Sequence, residues 1–94
     1  MGMPVLDFAN PLYTFDTNHL SYTATENCYL FGSVYAGDYT LKIDNTEILK
    51  FISYTSATHC QQIPILKLSV GQKVKFTGLP SSYCNIHIYR EISL

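Results

Sequence analysis

Three cysteines and three histidines are the side chains of this 94-residue chain that are best suited to hold a metal ion or act as a nucleophile. They are Cys28, Cys60, Cys84, His19, His59 and His87. No C-x-x-C or H-x-x-x-H spacing occurs among them, so nothing in the sequence sets up the tetrahedral arrangement that zinc requires. We therefore predict no metal site and no cofactor.

The seven acidic residues are scattered singly, at turn-like positions such as Asp16 and Asp38 or on outward strand positions such as Glu47. The sequence contains no carboxylate pair, phosphate-binding loop or glycine-rich dinucleotide turn, and no nucleophile is spaced with a base. A Cys60 nucleophile assisted by a histidine is supported by residue type alone. We predict that the chain is not an enzyme and has no catalytic residues.

The odd number of cysteines leaves at least one thiol free in a single chain, whereas small oxidised scaffolds carry denser, even sets. We expect the cysteines to be small buried hydrophobic residues, without disulfides. A bridge between Cys28 and Cys84 is the alternative.

Charged residues make up 14% of the chain and the net charge is −1, which gives no electrostatic footprint for nucleic acid or an anionic membrane. The longest apolar runs, such as residues 63–66, fall far short of the roughly 20 residues that span a bilayer. We predict neither nucleic-acid binding nor membrane insertion. Eight Tyr and five Phe, with no Trp, favour strands or a contact surface over a helical bundle.

The chain divides into an extended N-terminal arm, residues 1–18, and a β domain, residues 19–94. The arm holds Pro4, Pro11 and isolated apolar residues, enough for one short strand. From Leu20 onward, apolar residues recur with a period of two in short runs between turn residues. This pattern predicts an all-β fold, a small antiparallel β-sandwich of about seven to eight strands.

Turn residues locate the connections. Asp44 and Asn45 predict a tight hairpin with a return strand over residues 47–53, and residues 70–72 predict a second hairpin. Pro64 cannot donate to a ladder, so its strand is an edge or begins there. Strand parity predicts a core of Leu30, Val34, Leu41, Ile43, Ile48, Ile52, Ile63, Ile65, Val74, Phe76, Ile86 and Ile88.

Two groups of residues are candidates for recognition. Residues 54–62 form a long polar stretch without a period, where binding residues tend to be displayed. The ligand-binding candidates are Tyr54, Thr58, His59, Gln61 and Tyr83. An apolar outward strand face predicts a contact between chains at Tyr29, Phe31 and Tyr35. Alternatively, this strand is central and the arm covers it.

The order of several segments is similar to that of a known class of domain. The segments are NCYLFGSV (27–34), LKIDNTEI (41–48), PILKLSVGQKVKF (64–76) and NIHIY (85–89). Together they resemble the small jelly-roll-like β-sandwich heads at the tips of bacteriophage tail fibres and receptor-binding proteins. The L-x-x-G-Q-x-V element also resembles trimeric jelly-roll heads of the tumour-necrosis-factor and complement type.

This resemblance implies a receptor-binding head domain in the virion tail that forms a homotrimer and attaches to a host cell-surface receptor, which we expect to be a polysaccharide. It brings no residue-level binding motif. The alternative is a structural module that caps or joins a larger assembly and has no ligand of its own.

Overall fold

A computed structural model describes residues 5–35, 39–51, 60–79 and 84–92. The regular secondary structure of these residues consists of eight strands. They are β1 (Tyr13–Phe15), β2 (Ser21–Thr23), β3 (Cys28–Tyr35), β4 (Thr40–Ile43), β5 (Thr46–Lys50), β6 (Cys60–Leu68), β7 (Lys73–Phe76) and β8 (Cys84–Arg90). The prediction of an all-β chain with seven to eight strands is confirmed.

The strands form two four-stranded sheets, and every paired strand is antiparallel to its neighbour. The first sheet has the order β1-β8-β3-β6, and the second has the order β2-β7-β4-β5. The chain changes sheet at every connection except that between β4 and β5. This connectivity is that of an eight-stranded jelly roll, in which the two four-stranded sheets pack face to face.

The core lies between the two sheets and follows the period of two. Eight of the twelve predicted core residues are fully buried: Leu30, Val34, Leu41, Ile63, Val74, Phe76, Ile86 and Ile88. Ile43 is half-buried against them. Ile52 lies outside the described residues.

Two predicted core positions are wrong because a β-bulge inverts strand parity. Ile48 is an extra residue of β5 between the pairs Leu41–Leu49 and Lys42–Glu47, so it is 43% exposed and Leu49 packs inward instead. In β6, Pro64 and Ile65 together oppose one residue of β3, and Leu66 packs against the core in place of Ile65. An extra residue shifts every later side chain to the other face.

The hairpin at Asp44–Asn45 is confirmed. Both residues have positive φ, 51° and 68°, as a two-residue type I′ turn requires. The second predicted hairpin is wrong: the turn after β6 leads to β7, which belongs to the other sheet. That turn is fixed by a bond from the amide of Gly71 to the carbonyl of Ala24, so it forms a corner between the sheets. The edge position predicted from Pro64 is confirmed for β6.

The described part of the N-terminal segment runs beside β8. The amide of Asp7 donates to the carbonyl of Arg90 (3.0 Å), that of Ile92 to Val5 (2.7 Å) and that of Leu12 to Ile88 (2.7 Å). Leu6 and Phe15 are buried. Residues 8–10 leave this line in a turn, and Phe8 packs on the outer surface of the first sheet.

The register separates two of the cysteines. Cys28 pairs with Arg90, and Cys84 pairs with Val34 at the opposite end of β3, about 20 Å away. A disulfide requires Cα atoms within about 7 Å, so the alternative Cys28–Cys84 bridge is excluded. Cys28 is a free, buried thiol, and burial raises its pKa.

Candidate functional site

The outer surface of the first sheet carries a continuous group of rings, which we call the aromatic face: Phe8, Tyr29, Phe31, His87 and Tyr89. Tyr29 lies directly opposite Tyr89 across the β3–β8 ladder, and Phe31 lies opposite His87. Directly opposed residues of an antiparallel pair project from the same side of the sheet. Two central strands therefore supply four neighbouring rings.

Phe8 lies on top of these rings, although it comes from the other end of the chain. Its ring centroid is 4.8 Å from that of Tyr89, in an edge-to-face arrangement, and 6.1 Å from that of Phe31. Tyr89 is consequently buried, but Phe8 itself is 57% exposed. Phe8 of the N-terminal segment thus covers the rings of Tyr89 and Phe31 but exposes its own apolar ring to solvent.

Polar groups surround the rings. The hydroxyl of Tyr29 donates to Glu91 (2.9 Å). This bond to a carboxylate is the main cause that raises the pKa of Tyr29, and desolvation is a smaller one. The hydroxyl of Thr14 is 2.9 Å from Nδ1 of His87. Burial lowers the pKa of His87 below its ordinary value, which favours the neutral ring.

The Thr14–His87 contact is a hydroxyl–imidazole pair, the arrangement that a nucleophile and its base would use. Within the described ranges, however, Nε2 of His87 has no acid bonded to it that would orient the ring. In the same part of the chain, no three His, Cys, Asp or Glu side chains group closely enough to hold a metal ion. The aromatic face thus presents ring surfaces with a polar rim.

The predicted ligand-binding residues fall mostly outside this part of the chain. Tyr54, Thr58, His59 and Tyr83 lie outside the described residues. Gln61 is half-buried on β6, directly opposite Val34. Val34 of β3 pairs with Gln61 of β6 on one side and with Cys84 of β8 on the other. The first residues of β6 and β8 therefore lie at the same end of the first sheet. These are the two strands that follow the predicted ligand-binding residues.

Two of the three predicted contact residues, Tyr29 and Phe31, lie half-buried on the aromatic face. The third, Tyr35, is at the end of β3, and its side chain is outside the described part. The alternative, a central strand approached by the arm, describes β3 well: it lies between β8 and β6 and Phe8 packs on it. Sequence reasoning missed Phe8 because an isolated aromatic residue in the extended arm forms no pattern.

The outer surface of the second sheet has a different chemistry. We call it the lysine face, after Lys42, Lys50, Lys73 and Lys75, whose neighbours include Ser21 and Thr23 of β2. At its edge, a cleft of about 240 Å³ is lined by Asp44, Asn45, Lys73 and Lys75. The period of two along β4 and β7 predicts that Lys42, Lys73 and Lys75 face outward. The pairing of β4 with β7, which makes them neighbours, is a contact between distant parts of the sequence and could not be predicted in this way.

Comparisons with protein-family models, with curated protein sequences and with solved structures found no match in any of the three. Across the described ranges, no helix is long and apolar enough to cross a membrane.

Proposed function

We propose that this chain is a non-enzymatic receptor-binding head domain of a bacteriophage tail fibre, which attaches the virion to a polysaccharide of the host cell surface. The observation that carries the proposal is the aromatic face. It combines neighbouring rings and an exposed phenylalanine with a rim of hydroxyl, imidazole and carboxylate groups. Such a surface serves contact between chains or with a ligand.

The fold supports this proposal by analogy. Jelly rolls recur in viral capsid proteins and in lectins. The same fold also serves unrelated functions, so the analogy counts only together with the face. The segments quoted from the sequence fit the jelly roll in order: residues 27–34 form most of β3, and residues 85–89 lie within β8.

The aromatic face also fits the expected homotrimer. Val5, Phe8 and Ile92 are exposed hydrophobic residues, and a backbone bond joins Ile92 to Val5. Exposed hydrophobic residues are a feature of interfaces, and closed symmetry is the usual form of a homo-oligomer. In this arrangement Phe8, the exposed ring of the aromatic face, packs between chains.

The first experiment measures mass in solution. Multi-angle light scattering at micromolar concentration should give three times the 10.6 kDa of one chain. Phe8→Ser should convert the trimer to a folded monomer with an unchanged circular dichroism spectrum, because Phe8 is exposed in the single chain. Val70→Ser, at a hydrophobic residue that is 63% exposed on the turn between β6 and β7, is the control and should remain trimeric. A strict monomer for the unmodified chain contradicts the trimer.

The second experiment is a glycan array probed with the purified protein, for which we expect binding to bacterial surface polysaccharides. Absence of binding on the array, together with tight association with a neighbouring assembly protein, would favour the alternative of a structural capping module. The exposed hydrophobic residues Val5, Phe8 and Ile92 are the feature that fits this alternative, since a capping surface depends on apolar contact and needs no groups that bind a glycan.

A further inference from the structure

The net charge of −1 conceals an uneven distribution of charge over the two sheets. Four of the six basic residues of the chain, Lys42, Lys50, Lys73 and Lys75, belong to the second sheet. With Asp44 and Glu47 counted against them, this sheet and its hairpin carry +2, which leaves −3 for the rest of the chain. The fold therefore gathers positive charge that composition alone does not reveal.

The register places three of these lysines side by side. One row across the second sheet reads Ser21, Lys75, Lys42 and Glu47, with each residue directly opposite the next. Lys42 and Lys75 thus have Cβ atoms about 5 Å apart, an opposition of like charges that destabilises a sheet. Lys73 follows on β7, about 7 Å from Lys75 on the same side.

Within the described ranges, none of these lysines forms an ion pair with a carboxylate, although Glu47 lies directly opposite Lys42 in the row. The ion pairs there are His19–Asp16 and Arg90–Glu26, both outside the second sheet. Asp44, the nearest acid in the cleft, accepts a hydrogen bond from the backbone amide of Lys73 (3.0 Å) instead. The ammonium groups are thus available to an external anion.

Two of these lysines, Lys73 and Lys75, line the cleft. Its four lining residues come from the β4–β5 turn and from β7, and the turn is held against β7 by a second bond, from the amide of Asp44 to the carbonyl of Lys73 (2.9 Å). Thr23 pairs with Lys73 and Ser21 with Lys75, so each of these lysines has a hydroxyl residue directly opposite it on β2. Ammonium and hydroxyl groups together suit phosphate, sulfate or carboxylate oxygens.

We propose that the lysine face binds an anionic polysaccharide, with one acidic group in the cleft at Lys73 and Lys75 and the next along the row at Lys42. This inference rests on the proposed function and specifies its ligand class. The polymer would relieve the repulsion between Lys42 and Lys75. The lysines are spread over two neighbouring strands, β4 and β7. A polymer with repeated charges can contact all three of them, whereas a single small anion cannot.

Dextran and dextran sulfate test the proposal, because they share one backbone and differ in charge. Measured by biolayer interferometry with immobilised polymer, the protein should bind dextran sulfate and not dextran, and binding should weaken as salt is raised from 50 to 300 mM. Polygalacturonate, which carries carboxylates, distinguishes a general polyanion site from a sulfate-specific one, and binding to either supports the proposal.

Charge-neutralising variants locate the site. Lys42→Gln, Lys73→Gln and Lys75→Gln should each weaken binding about two- to fivefold, as expected for exposed charge pairs, and the triple variant on the order of tenfold or more. Lys67→Gln removes the same charge from the first sheet and should leave affinity unchanged. Glu47→Gln removes the acid in the row and should strengthen binding.

Four results would overturn the inference. Equal loss with Lys67→Gln would mean that only net charge matters, and tighter binding to a DNA oligonucleotide than to either acidic polysaccharide would assign the face to nucleic acid. Binding of a neutral bacterial polysaccharide that the triple variant retains would leave the proposed function standing with a different site. Absence of binding to any polysaccharide, charged or neutral, would count against the proposed function itself.

Discussion

The ring of Phe15, on an edge strand of the first sheet, meets the ring of Phe76, on a central strand of the second sheet, edge to face with centroids 5.0 Å apart. Both side chains are fully buried. This contact joins the two sheets and ties the N-terminal segment to the core, because Phe15 lies in β1 beside β8.

Phe15→Ala and Phe76→Ala should each lower the free energy of unfolding by about 3–5 kcal/mol, the usual cost of removing a buried phenylalanine ring. In a double-mutant cycle, the two rings should show a coupling energy of about 0.5–1.5 kcal/mol. Urea denaturation of the unmodified protein, the two single variants and the double variant gives the four free energies of unfolding that the cycle needs. A loss below about 1 kcal/mol for Phe15→Ala would mean that the segment containing β1 is not part of the folded body.

Gly32 is required by the close approach of β3 to β8. Its φ is +154°, and a Cβ atom built there would lie 2.0 Å from the backbone carbonyl oxygen of Asn85. Neither backbone can move without breaking the central ladder. We expect Gly32→Ala to destabilise the protein by at least about 2 kcal/mol.

Gly78→Ala is the matched control, because a Cβ at that position would meet only the ring of Tyr39, at 3.6 Å, an ordinary contact distance. It should change stability by no more than about 0.5 kcal/mol. Thermal denaturation of both variants is sufficient. Equal stability of the two would contradict the close approach at Gly32.

Much of the fold could be predicted from the sequence because its determinants are local. Alternation identified the strands, and Asp44–Asn45 identified the β4–β5 hairpin through residues that tolerate positive φ. The pairing of β4 with β7 could not be predicted in this way, since Leu41 and Phe76 are far apart in sequence and the turn after β6 has the residues of a hairpin.

The same distinction explains the candidate sites. Tyr29 and Phe31 were identified from the apolar outward face of one strand. Phe8 and the row of lysines were not, because each depends on which strands become neighbours. Lys42 and Lys75 look like ordinary solvent-facing residues until the β4–β7 ladder sets them opposite each other.

The bulge in β5 can be tested at two adjacent residues. Because the extra residue Ile48 points away from the core and Leu49 points into it, Ile48→Ser should be nearly neutral, within about 0.5 kcal/mol. Leu49→Ser should cost about 1–3 kcal/mol through lost burial and an added hydroxyl. Chemical denaturation of each variant gives the comparison. A larger loss of stability for Ile48→Ser than for Leu49→Ser would contradict the bulge and would place Ile48 in the core.

The aromatic face should also make stability depend on pH. Burial lowers the pKa of His87 from its ordinary value of 6.5, so the unfolded chain takes up a proton at a higher pH than the folded chain does. Between those two pKa values the unfolded state binds more protons, and stability therefore falls as the pH is lowered through the region below about 6.5. Below the folded-state pKa this loss is complete.

His87→Gln should remove that component, because glutamine is polar, does not titrate and can still bond the hydroxyl of Thr14. Urea midpoints measured from pH 8 to pH 5 should decline more steeply for the unmodified protein than for the variant. Asp16 does not interfere in this window, since its bond to His19 lowers the pKa of the carboxyl below 3.8 and its own loss comes at more acidic pH. A nitrogen-15 titration of the His87 ring with a midpoint at or above 6.5 would contradict the predicted direction. It would mean that the imidazole of His87 is solvated rather than held among the rings of the aromatic face.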